Sequence, residues 1–137
     1  MKLLTDTDYI HALIAEGEHQ QQDFKCEISD ARKIAKTLSA FANTNGGRLL
    51  IGVKDNGKIA GVRSEEEKYM TEAAAQLYCV PAVEYSLQTY IVEGRQVLVA
   101  TIEETPHKPV YAKDETGKPL AYLRIKDENI LAKPIHL

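Results

Sequence analysis

Residues Leu38–Gly61 read LSAFANTNGGRLLIGVKDNGKIAG. Ala31, Ile34, Ala35, Leu38, Phe41 and Ala42 recur at helical spacing and predict one buried stripe. Gly46-Gly47 follows the last of them. Glycine there tolerates positive φ, so either residue can close the helix. The unbroken apolar run Leu49-Leu50-Ile51-Gly52-Val53 predicts a strand covered on both faces. Asp55-Asn56-Gly57 is hairpin-turn chemistry and sends the chain back through Ile59, with 59–62 as a short partner strand.

Upstream, residues 22–27 predict a strand, with Phe24, Cys26 and Ile28 on one side and Asp23, Lys25 and Glu27 on the other. The central helix then spans 30–44, capped by Ser29 or Asp30. Strand, helix and strand at this spacing suit a parallel, right-handed pair. Thr5-Asp6-Thr7-Asp8 offers N-cap chemistry for a first helix that Gly17 ends.

Downstream, Ser64-Glu65-Glu66-Glu67 predicts a capping box and a helix to about Tyr78, with Pro81 barring continuation. Val83, Tyr85, Leu87, Thr89 and Ile91 alternate with polar residues, as a strand with one wet face does. Residues 96–102 are apolar on both faces and predict a central strand. Ala121, Leu123 and Ile125 alternate with Tyr122, Arg124 and Lys126 in a last strand, followed by a turn or short helix and a tail. The reading is an α/β (α+β) fold with a mixed β-sheet flanked by helices, one domain over 1–137.

Composition fits ordinary globular material: 137 residues, 44% hydrophobic and 27% charged. No run is long and apolar enough to span a bilayer, and no secretory signal is visible, so a cytoplasmic location is expected. Cys26 and Cys79 are far apart and lack zinc-ligand spacing; both are expected as buried, reduced thiols. A net charge of −3 argues against a general nucleic-acid binder. The charge is uneven, however: residues 24–58 hold seven basic against three acidic side chains, net +4. Such a segment can hold phosphates locally, or can simply be a solvated face.

FANTNGGRLLIGVKDNGKIAG resembles the signature of the Schlafen-type Alba-like (AlbA) domain, a family associated with nucleic-acid binding. The likeness extends to Glu18-His19-Gln20-Gln21-Gln22-Asp23-Phe24-Lys25 and, more loosely, to 106–111 and 121–124. It covers most of the chain from Glu18 onward, with a core at about 18–127. It implies a DNA- or RNA-binding domain with a regulatory role and, since Alba-like folds often pair, a homodimer.

In relatives with ribonuclease activity an acidic trio occupies these motif positions, which here are Glu18, Asp23 and Asp55. The family usually has Glu where Asp23 stands, one methylene longer. Converging carboxylates would bind Mg²⁺ or Mn²⁺ and could activate water on a phosphodiester. In the plainer reading Asp23 pairs with Lys25 or a helix lysine, and Asp55 makes an Asx turn. Lys33, Lys36, Arg48, Lys54 and Arg124 are the candidate phosphate contacts. ATP, a ligand linked to this family, is argued against by the sequence. No GxxxxGK[ST] is present, and Gly46-Gly47 follows a helix instead of preceding one. A third reading, a protein-interaction module, would use the acidic helix from Ser64 to Glu72.

Overall fold

A computed structural model describes residues 5–62 and 65–133. Helix α1 (Asp6–Glu16) is capped by Thr5, whose hydroxyl accepts from the Asp8 N–H, and ends at Gly17. Strand β1 (Gln22–Lys25) leads into α2 (Ala31–Asn43), where Asp30 is the N-cap and accepts from the Arg32 N–H. Gly46 takes the positive φ of 72° that the helix exit needs, and its N–H returns to the Phe41 carbonyl. Gly47 serves packing instead: a Cβ there would sit 2.6 Å from the Phe41 ring.

Strand β2 (Gly47–Ile51) pairs parallel with β1, as the strand–helix–strand spacing predicts. The turn after it is hydrogen-bonded from Gly57 N–H to the Lys54 carbonyl. Residues 59–62 do not form a regular partner strand. Ile59 makes one bridge to Val53, and Val62 bridges to Gln96.

Helix α3 (Glu66–Ala73) passes into a π-helical turn, Ala74–Tyr78, and then β3 (Cys79–Val80). The expected Ser64 cap lies outside the described residues. Strands β4 (Tyr85–Val92), β5 (Arg95–Ile102), β6 (Tyr111–Lys113), β7 (Pro119–Ile125) and β8 (Glu128–Leu131) complete the chain. The segment expected to be a turn or short helix and a tail thus holds an eighth strand.

The strands form two sheets. The first, ordered β1-β2-β5-β4, is mixed and has β5 between β2 and β4. The second, β3-β6-β7-β8, is antiparallel. Helix α2 lies between them. Its Ile34, Leu38 and Phe41 share one cluster with Leu49, Ile51, Leu98 and Ala100 of the first sheet and Ala112 of the second. Helix α1 covers the other face of the first sheet, where Ile10 and Leu13 pack on Phe24, Leu50, Val97 and Val99. Among the described residues no helix is long and apolar enough to cross a membrane.

Candidate functional site

Among the described residues strand β1 is an edge strand, bonded within its sheet to β2 alone. The Gln21 and Lys25 carbonyls face β2 and accept from Arg48 and Gly52. By alternation, Phe24 N–H points outward, where no strand receives it. Two carboxylates take its place: Asp23 Oδ1 at 3.1 Å and Glu18 Oε2 at 3.3 Å. Two acids of the trio therefore meet on one amide. Their mutual hydrogen bond is the main reason the Glu18 carboxyl is pushed up to about 7. Burial adds to it, the Phe24 N–H opposes it, and the charges of Asp23 and Asp55 raise it further. Two carboxylates this close hold one proton between them near neutral pH.

Asp23 is only 4% exposed. Lys25 Nζ and Arg124 Nη2 each stand 3.8 Å from one of its oxygens. Asp55, on the exposed turn after β2, acts on Glu18 through space. Among the described residues no group of three or more His, Cys, Asp or Glu side chains is placed to hold a metal ion. The trio is thus a hydrogen-bonded pair, Glu18 and Asp23, with the charge of Asp55 acting on it from the turn.

The segment carrying the pair is fixed from both sides. His19 and Gln22 exchange backbone hydrogen bonds, and Gln22 Nε2 donates to the Leu13 and Gly17 carbonyls of the α1 end. From β7, Arg124 donates to the His19 and Gln22 carbonyls and to Asn129 Oδ1, with its guanidinium over the Phe41 ring. This corrects the expectation that Arg124 contacts phosphate. It is 2% exposed and committed to the interior.

The remaining predicted cations do not form one patch. Lys33 is exposed on α2 and lines a depression of about 90 Å³ together with Lys25. Lys36 follows one turn later, with its ammonium 5.9 Å from the centre of the Tyr122 ring. Arg48 lies on the α1 side, bonded to Glu16 Oε1 at 2.9 Å and to Gln22 Oε1. Hydrogen bonds from His19 and Arg48 hold Glu16 below the usual carboxylate range. Lys54 stands beyond the end of β2 in a separate depression with Lys58 and Arg95. Neither Lys58 nor Arg95 was among the sequence candidates. Lys58 sat in the basic segment, but nothing in the sequence set the β4–β5 turn with Arg95 against it. Cys26 is exposed and Cys79 buried, so only one of the two thiols is where it was expected.

The profile of the Schlafen, AlbA_2 family matches residues 18–133. Among solved structures, the N-terminal domain of an ATP-dependent DNA helicase RecG-related protein from Nitrosomonas europaea, so named, is similar at 27% identity. The match covers 89% of this chain and 88% of that one, with a TM-score of 0.61. The DIP2311 protein from Corynebacterium diphtheriae shares the fold at 21% identity and a TM-score of 0.63; 93% of this chain matches 26% of that protein. No curated protein matches.

Proposed function

This chain belongs to the Schlafen AlbA_2 family, and from that premise we propose that it binds nucleic acid along α2 beside the open edge of β1. The observation that carries the reading is the placing of Lys25 and Lys33 in one depression, which Glu27 and Asp30 also line, with Lys36 one turn further along α2. The Lys36 ammonium lies over Tyr122. Lysines gathered on one side of the domain suit backbone phosphates, which supply most of the affinity in non-specific binding. The name of the Nitrosomonas neighbour, a DNA helicase relative, is consistent with such a ligand.

The test is fluorescence anisotropy with labelled single-stranded and duplex DNA and RNA at low salt. Lys33→Gln/Lys36→Gln should weaken binding to all sequences alike and lower the salt slope by about 1 per lysine. Absence of binding at low salt overturns the reading. It would favour a protein-interaction module, whose contact would include the exposed Tyr69 on the acidic α3.

The Glu18–Asp23 pair favours a second reading, phosphodiester cleavage. It requires Asp55 to close onto the pair when nucleic acid binds. Mn²⁺-stimulated cleavage of structured RNA, lost in Asp55→Ala, would support it; intact RNA at saturating protein would remove it.

A further inference from the structure

We infer that His11, Lys54, Lys58 and Arg95 form a phosphate-binding basin separate from the α2 lysines. The depression they line measures about 390 Å³ and lies where the turn after β2 meets the β4–β5 turn and α1. Its basic residues are brought together by the backbone. Lys54 N–H donates to the Lys58 carbonyl, and Lys58 N–H to Asn56 Oδ1, so the two lysines face each other across the turn. Arg95 Nη1 donates to the Ile59 carbonyl at 3.0 Å, which sets the guanidinium against the same wall. Gly61 makes room for that arginine. A Cβ there would stand 3.0 Å from Arg95 Cβ, at a φ of 79° that already favours glycine.

The charges in the basin are not balanced. Among the described residues, none of Lys54, Lys58 and Arg95 has an ion-pair partner. The one carboxylate in the lining, Glu93, lies 3.3 Å from His11 Nε2. Asp55, within the turn, is exposed and acts on Glu18. Like charges facing each other across a turn are unfavourable, and an anion seated between them removes the repulsion. A phosphate group has the charge and the acceptor oxygens to take two ammonium groups and a guanidinium together.

Two sources can supply that phosphate: the backbone of a bound nucleic acid, or a free phosphorylated small molecule. The nucleic-acid source rests on the function proposed above. The probes are inorganic pyrophosphate, followed by the amide shifts of Gly57 and Gly94 in ¹⁵N-labelled protein, and a labelled oligonucleotide followed by anisotropy. The variant is Lys58→Gln/Arg95→Gln, both exposed positions, with thermal melting confirming that it stays folded.

The basin predicts saturable pyrophosphate shifts that the variant loses. For the backbone source, the variant should also bind oligonucleotide about tenfold more weakly, with a salt slope smaller by about 1.5–2. Loss of oligonucleotide affinity without pyrophosphate shifts still supports the basin, with backbone phosphate as its ligand. Saturable pyrophosphate shifts in a protein that binds no oligonucleotide would sink the nucleic-acid reading and leave the basin standing for a small ligand. No saturable shift, together with wild-type oligonucleotide affinity in the variant, overturns the basin.

Discussion

The Arg124 guanidinium joins β7 to the turn that carries the acid pair, and among the described residues its side chain is the largest to be buried almost completely. Removing it leaves buried acceptors without donors and Asp23 without a buried counter-charge. Arg124→Met should therefore cost about 3–5 kcal/mol in urea unfolding. Arg124→Lys should recover little, because an ammonium cannot reproduce the fork that reaches two carbonyls and Asn129. In the sequence this residue looked like a surface cation. Alternation on β7 placed it on the same side as Tyr122, and that side turned out to face α2.

Glu18 gives a second test at this scale. The folded protein holds its proton up to about pH 7, against an ordinary value of 4.5. The folded form thus binds the proton more tightly than the unfolded form. The contribution of Glu18 to stability falls as pH rises from 4.5 to 7 and is level above. In Asp23→Asn the amide donates to Glu18 instead of sharing a proton with it. The Glu18 carboxyl ¹³C midpoint should then drop toward the ordinary value, and the decline in stability should flatten; an unchanged midpoint would refute the shared proton. The thiols should separate as well. Burial pushes Cys79 up to about 12, while Cys26 is exposed, so Ellman's reagent should titrate one thiol in the native state and the second only after unfolding.

Among the elements, α2 is the one both sheets depend on, and Asn43 at its end is the clearest joint. Its Nδ2 donates to the Val110 and Tyr122 carbonyls, and its Oδ1 accepts from Val110 N–H at 2.7 Å. An asparagine at a helix end ordinarily bonds backbone groups close by in sequence. The groups Asn43 bonds belong instead to residues 67 and 79 positions away. Asn43→Ala orphans a buried amide and should cost about 2–4 kcal/mol. Hydrogen exchange should show the loss locally, with amides of β6 and β7 opening while β5 stays protected.

Helix α2, the parallel β1–β2 pair and the central β5 were legible because each rests on a local period or on an apolar run. The division into two sheets was not, since alternation names the faces of a strand but not its neighbour. Strand β4 shows why. Tyr85 and Leu87 pack toward α2, whereas Tyr90 and Val92 pack under α1 on the opposite face. The simple reading put Ile91 inside, yet it is 51% exposed, because each helix covers only part of the strand. Strand β8 was hidden for a different reason: its first residues are polar, and Asn129 earns its place by bonding Arg124 and Thr37.

At the scale of the whole molecule, a chain of net charge −3 must bring a polyanion to its cations against an overall repulsion. That repulsion is long-ranged and screened by salt, whereas contacts at Lys25, Lys33 and Lys36 act at short range. The two effects oppose each other as salt rises, so the measured dependence reports which one dominates. Three backbone contacts release enough counterions for a slope of about −2 to −3 in log K against log salt. Between 50 and 200 mM KCl the affinity should then fall about 15–60-fold. If the basin at Lys58 and Arg95 is engaged by the same strand, the slope steepens beyond that range, and the double variant there restores it. A flat dependence would mean that the lysines on α2 do not meet phosphate, whatever else the domain binds. The measurement is an anisotropy titration at four or more salt concentrations, on one oligonucleotide long enough to reach from α2 to the β2 turn.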